Sequence, residues 1–163
     1  MTPTVTNGAE AGSTEYATQD IMVNYFAFDG ATEEFVSFNL MMPENWNRST
    51  VKAKFYWTGA AGADAAETVE WEIGGNAIGN DEAIDAAIGT AQVISDTVLT
   101  AGSARVHISG ATPAITIGGT PALGDFIHFK ISRNVGGTDD MDDDAWLLGV
   151  AIQYTISNQI SAW

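Results

Sequence analysis

Short segments in which apolar and polar residues alternate are the feature that most constrains how this chain folds. The segment Val51–Thr58 (VKAKFYWT) places its apolar side chains on one side of an extended strand and both lysines on the other. The segment Val69–Ile73 (VEWEI) repeats the pattern, with Glu70 and Glu72 predicted to face solvent. Such alternation is typical of antiparallel sheets that have one dry face and one wet face.

Further strand-like segments follow along the chain, each bounded by Gly, Pro or other turn residues. They are Ile21–Phe28, Phe35–Met41, Gln92–Leu99, Ala104–Ser109, Ala114–Ile117, Phe126–Arg133 and Trp146–Ile156. Residues 74–91 are expected to form a long, partly helical loop, with one or two helical turns over Asp81–Ile88. About nine short strands at this spacing predict one all-β domain, an antiparallel sandwich or barrel.

Residues 1–20 are rich in Thr, Gly, Ala and Ser and have no hydrophobic period. We therefore expect an extended N-terminal arm over 1–20 and a β-sandwich domain over 21–163. The first residues lack the basic start and apolar run of a secretory signal, and no segment is apolar over the length of a membrane span. Synthesis in a cytoplasm, without membrane association, is the expectation.

The charge balance argues against nucleic acid as a partner. Asp and Glu number 21 against 6 Lys and Arg, which gives a formal net charge of -15. The six basic residues are scattered, whereas phosphate binding needs them clustered. Hydrophobic residues make up 45% of the chain, so the acidity does not indicate disorder. The chain has no cysteine, which excludes disulfides and thiolate chemistry.

Neither histidine predicts catalysis. His107 and His128 lie in strand-like segments without an adjacent carboxylate. No nucleophile elbow, metalloprotease motif or phosphate-binding glycine loop is present. We predict no catalytic residue, no cofactor and no enzyme activity. A β-sandwich glycan hydrolase or lyase remains an alternative only because carboxylates are abundant.

The acidic run Thr138–Asp144 (TDDMDDD) is the one candidate for a metal site. Asp140, Asp142 and Asp144 alternate along it, and a loop can bend such carboxylates around a structural cation such as calcium. The glycine and glutamate of a calcium-binding helix–loop–helix are missing. The alternative is a solvated loop in which one aspartate caps a turn.

Aromatic and arm residues provide the candidate contacts with other subunits. Trp57 and Trp71 lie on inward stripes and are predicted to be core, whereas the other exposed-looking aromatics lie on a turn, in the arm or at the last residue. The predicted contact residues are Val5, Tyr16, Ile21, Trp46 and Trp163.

Four segments carry a resemblance to a known group of proteins. They are FYWTGAAGA (55–63), VEWEIGG (69–75), FIHFKISRN (126–134) and AWLLGVAIQYT (145–155). Together they resemble the strands of small jelly-roll virion proteins of tailed bacteriophages, over roughly residues 35–156. The resemblance implies an antiparallel jelly-roll β-sandwich of about eight to nine strands and no catalytic residues.

The resemblance also implies a place in the virus particle. It predicts a homotrimeric capsid decoration (cement) protein that binds the major capsid protein on the capsid exterior and stabilises the lattice. The arm would reach the shell or a neighbouring subunit. The alternative is a receptor- or glycan-binding module of a tail fibre or baseplate, with specificity in the loops 59–68, 74–91 and 134–144.

Overall fold

The alternating segments form ten strands in the computed structural model, which describes residues 1–157. The strands are β1 (Thr2–Pro3), β2 (Glu10–Tyr16), β3 (Ile21–Phe28), β4 (Phe35–Met41), β5 (Trp46–Gly59), β6 (Thr68–Ile78), β7 (Gln92–Thr97), β8 (His107–Ile108), β9 (Phe126–Arg133) and β10 (Ala145–Ile156). No helix occurs within these described residues. The all-β prediction is therefore confirmed.

The strands form two five-stranded sheets that pack face to face. The first sheet has the order β1-β4-β9-β6-β7 and the second the order β2-β3-β10-β5-β8. Every pair of neighbouring strands is antiparallel. This arrangement confirms the β-sandwich prediction, and the two inner faces bury the apolar stripes between them.

The core is built around aromatic side chains on β3, β5 and β6. Trp71 is 0% exposed, and its ring contacts the ring of Phe28 edge-on at 5.2 Å and that of Phe55 in a stacked arrangement at 5.4 Å. Trp57 is also fully buried beside it. Aromatic pairs in these geometries add to the free energy of burial. The inward stripes predicted from the alternation are thus the core.

Residues 1–20 lie along the edges of both sheets. β1 pairs with β4 in the first sheet, and β2 pairs with β3 over seven residue pairs in the second. An arm separate from the sandwich is therefore not confirmed. No residue of β2 is buried, so few of its positions require an apolar side chain and the segment lacks a strong hydrophobic period.

The loop 74–91 differs from its expectation. Gly74–Ile78 belongs to β6, and Asp81–Ile88 forms a turn and irregular chain instead of helical turns. Asp81 has a φ of 64°, outside the helical region, and the Glu82 carboxylate accepts the Gly79 N–H at 2.7 Å. These local bonds replace the helical ones.

Two predicted strands are shorter than expected. Only His107–Ile108 of the segment Ala104–Ser109 is strand, paired with β5. In Ala114–Ile117, Ile115 makes an isolated bridge to Val51. The chain between them still follows β5 through separate backbone bonds, such as those from the Ser109 and Thr112 N–H groups to carbonyls of β5, but it does not form a continuous ladder.

The β2–β3 hairpin leaves β10 soon after pairing begins. β3 and β10 share three residue pairs, from Ala145↔Phe28 to Leu147↔Phe26, and the register of β10 then shifts at a bulge. The hairpin end instead contacts the 103–106 loop, where the Tyr16 hydroxyl donates to the Ser103 carbonyl. The rest of β10 pairs with β5 alone.

Candidate functional site

An exposed apolar surface forms where the hairpin end meets the 103–106 loop. Tyr16 and Ile21 face each other across the β2–β3 pair, and Tyr16 and Val106 line one crevice. Ile21 is 52% exposed and Val106 63% exposed. We call Tyr16, Ile21 and Val106 the tip surface. Solvent-exposed apolar groups that share one site are typical of contacts with other proteins.

Tyr16 holds this surface in place. Burial, together with the nearby Tyr25, raises the pKa of the Tyr16 phenol above its ordinary value. The phenol hydroxyl donates to the Ser103 carbonyl. This bond joins two segments that are 87 residues apart in the sequence.

The other predicted contact residues do not join the tip surface. Val5 is fully exposed in the chain between β1 and β2. Trp46 is 3% exposed, so the prediction of a surface contact there is wrong. It begins β5 opposite Ile156 of β10 and packs into the core. Trp163 lies outside the described residues.

The predicted cation site does not form among the described residues. Asp140, Asp142 and Asp144 are not gathered into a group that could hold a metal, and no other group of three or more histidines or carboxylates is arranged to do so in residues 1–157. Asp140 accepts the Thr68 N–H at 2.6 Å. Burial and the charge of Asp29 raise the pKa of Asp144, although Arg133 opposes them. The loop is held by hydrogen bonds to Thr68 of β6 and Arg133 of β9.

Arg133 is the centre of that organisation. Its side chain is 0% exposed, and its Nε and Nη2 donate to the two carboxylate oxygens of Asp139 at 2.9 and 2.7 Å. Its remaining donors bond the backbone carbonyls of Phe28, Met141 and Asp143. All five guanidinium N–H groups therefore have an acceptor, as a buried charge requires.

Glu70 is covered by the same loop and does not face solvent as predicted. It is 8% exposed and accepts bonds from the hydroxyls of Thr138 at 2.8 Å and Ser95 at 3.3 Å, and from the Asn134 amide. Burial alone would raise its pKa, but these donors outweigh burial and hold the pKa of Glu70 below its ordinary value. The carboxylate is structural.

The two histidines occupy different environments. His107 is 3% exposed, its ring lies 4.8 Å from that of Trp57, and neither ring nitrogen has a hydrogen-bond partner in the described part of the chain. Burial lowers the pKa of His107, with Asp96 partly opposing it. His128 is half-buried, with Nδ1 2.7 Å from Asn39 Oδ1.

His107 should make the fold sensitive to mild acid. Its folded pKa is lowered below the unfolded value of about 6.5, so the unfolded chain takes up the proton first and stability falls as pH drops below about 6.5. We expect His107→Leu to reduce the difference in free energy of unfolding between about pH 8 and about pH 5. Urea denaturation at both pH values measures it. His128→Gln is the control, and an unchanged pH dependence in His107→Leu would contradict the assignment.

A cleft of about 300 Å³ lies beside β4, β6 and β9. Glu33, Glu72, Phe35 and Lys130 line it together with part of the neighbouring loop, namely Ile88, Gly89 and Ala91. Burial and the charge of Glu33 raise the pKa of Glu72, while Lys130 lowers it. The Lys130 ammonium lies 3.7 Å from the centre of the Phe35 ring, so that aromatic face is already occupied.

The fold defines the class of this protein, a two-sheet antiparallel β-sandwich. No protein-family model matches the sequence, and no curated protein matches it. Over residues 1–157, no helix has both the length and the apolar character needed to span a membrane.

Two residues were missed by the sequence reasoning. Arg133 continues the inward-facing positions Ile127, Phe129 and Ile131 of β9. A charged residue at an inward position, shortly before an acidic run, could have indicated a buried ion pair. Nothing in the sequence around Val106 indicates its contact with the tip of the β2–β3 hairpin, because that contact depends on how two distant segments pack.

Proposed function

We propose that this chain is a virion structural protein of a tailed bacteriophage, a capsid decoration protein that binds the major capsid protein on the capsid exterior. The observation that carries the proposal is the exposed tip surface. Ile21 is 52% exposed and Val106 is 63% exposed, where Tyr16 joins the hairpin end to the 103–106 loop. Exposed apolar side chains that share one site, unlike single ones scattered over a surface, are typical of contacts with other proteins.

We further assign the sandwich to the jelly-roll class. Successive strands from β3 to β10 pass from one sheet to the other, except at β6–β7, which pair as neighbours. Eight strands in two four-stranded sheets remain when the edge strands β1 and β2 are set aside, as in a jelly roll. This order supports the likeness to jelly-roll virion proteins that the strand segments suggested.

The proposed action is stabilisation by mass action. A protein that binds only the assembled lattice, here as a homotrimer, stabilises it in proportion to its occupancy. Burying about 100 Å² of apolar surface at the tip surface contributes about 2.5 kcal/mol, or roughly 70-fold in affinity. The net charge of -15 keeps decorated particles apart. The protein would be made in the host cytoplasm and carried on the capsid exterior.

Removing the apolar groups of the tip surface should weaken capsid binding. The double variant Ile21→Ser, Val106→Ser is expected to bind capsids that lack this protein at least about tenfold more weakly, because less apolar area is buried. Its fold should be retained, since both side chains are more than half exposed. Co-sedimentation with such capsids measures occupancy.

The matched control is Ile84→Ser, which removes an apolar side chain that is 76% exposed on the loop between β6 and β7. It should bind as the unmodified chain does. Equal occupancy for the tip double variant and the control would disprove the role of the tip surface.

A receptor- or glycan-binding module remains the alternative. Its best location is the cleft lined by Phe35, Glu72 and Lys130. Sugars stack on open aromatic faces, and Lys130 covers that of Phe35. The geometry of the cleft therefore gives the alternative less support than the tip surface gives to decoration.

A further inference from the structure

On the side of β3, no strand among residues 1–157 pairs with the second half of β10. β10 lies between β3 and β5, yet β3 pairs only with its first three residues. A Cβ atom built on Gly149 would meet no atom within 4 Å. A cavity of about 510 Å³, lined partly by Phe26 and Leu147, marks the place where the two strands separate. We call Gly149–Ile156 the open edge.

Backbone groups of the open edge are available for pairing. The N–H groups of Ala53 and Phe55 on β5 bond the 109–115 segment, on the side away from β10. Residues in an antiparallel pair direct both backbone groups either toward or away from the partner, in alternation. Ile152 and Val150 lie opposite Ala53 and Phe55, so their N–H and C=O groups point outward along the open edge.

The open edge also lacks the features that protect strand edges. Native edges usually carry charges or proline, or are very short. The open edge contains no charged residue and no proline over its length. Val150, Ile152 and Tyr154 pack against the core but remain half-buried. An added strand would cover these side chains and bond the free backbone groups.

The charge pattern identifies the kind of strand that fits. β5 and β10 contain Arg48, Lys52 and Lys54 and no acidic residue, although the chain as a whole carries a net charge of -15. β2 has the opposite character, with Glu10 and Glu15 and no basic residue. Its outer edge has no partner strand among residues 1–157. β2 is one residue shorter than the open edge, so it can pair with nearly the whole of it.

We propose that the open edge of β10 binds β2 of a second copy of this chain. The contact is head to tail, because two different edges meet, and such contacts form a closed ring when the rotation between copies allows it. If β10 paired with β10 of the second copy, the basic residues of β5 in both copies would come close together, and the charge complementarity would be lost. This inference concerns self-association alone, so it stands or falls separately from capsid binding.

Cross-linking tests the two edges directly, because the chain has no cysteine. Ser13→Cys places a thiol on β2, on the same face as Glu15, and Gln153→Cys places one on the open edge, on the same face as Lys54. With a short bismaleimide, we expect a mixture of the two single variants to form dimers, while each single variant alone does not. The double variant should form a ladder of trimers and larger species. Dimers from Gln153→Cys alone, or no cross-link in the mixture, would overturn the proposal.

Charge exchange provides a second test that does not disturb the core. Lys54 and Glu15 are both exposed. By sedimentation equilibrium we expect Lys54→Glu and Glu15→Lys each to weaken self-association by about fivefold, and the double variant to recover most of the loss. Asp85→Lys, at an exposed charge on the loop between β6 and β7, is the control and should change association little. A chain that is monomeric at about 100 μM, or a double variant weaker than both singles, would contradict the proposal.

Discussion

Replacing Arg133 by methionine is expected to lower the free energy of unfolding by about 3–5 kcal/mol. Methionine replaces the aliphatic part of the arginine side chain but supplies none of the five hydrogen-bond donors of the guanidinium group. It leaves the Asp139 carboxylate, which is 2% exposed, without its counter-ion. The carbonyls of Phe28, Met141 and Asp143 lose a donor at the same time. Urea denaturation near neutral pH measures the loss.

Arg105→Met is the matched control, since Arg105 is exposed and the change should lie within about 0.5 kcal/mol of zero. Arg133→Lys should recover only part of the loss, because an ammonium has three donors and cannot bond both oxygens of Asp139 in the same plane. Equal stability of Arg133→Met and Arg105→Met would show that the acidic loop does not depend on Arg133.

Truncation of Trp71 to alanine should cost about 3–5 kcal/mol, because it opens a cavity between the two sheets where Phe28 and Phe55 pack. Trp71→Phe should cost much less than the alanine change. The Trp71 indole N–H is buried and has no acceptor in the described part of the chain, so phenylalanine also removes an unpaired donor.

Trp57 supplies the comparison. Its indole N–H donates to Asp96 Oδ2 at 2.7 Å, so Trp57→Phe removes a made bond and leaves that carboxylate without its partner. Thermal or urea unfolding should therefore rank Trp57→Phe as more destabilising than Trp71→Phe. The reverse order would mean that the Trp71 N–H is satisfied in solution.

The core was predictable from the sequence because side chains in a strand alternate with a period of two. Val69, Trp71 and Ile73 were assigned to the inner face from spacing alone, and each is 0% exposed. The same alternation predicted Glu70 to be exposed, which is wrong. Alternation indicates the face of the sheet on which a side chain lies, but not whether another segment covers that face. A loop more than 60 residues later in the chain bonds Glu70 and buries it.

The candidate site was predictable only in part. Tyr16 and Ile21 meet because a short turn joins β2 to β3, which is a local effect. Val106 joins them through a contact between segments far apart in sequence, and local pattern carries no information about it. The open edge of β10 exists because β3 stops pairing with β10 after Leu147. The alternation of apolar and polar residues in β10 is the same as in a fully paired strand, so the sequence does not indicate that this edge is open.

Images of virus particles bearing labelled copies of this chain test decoration most directly. The proposal expects label spread over the head, with occupancy lost in the double variant Ile21→Ser, Val106→Ser. Label confined to the tail would instead favour a fibre or baseplate module. No label on any particle, from a chain that is folded and present in excess, would contradict a virion role altogether.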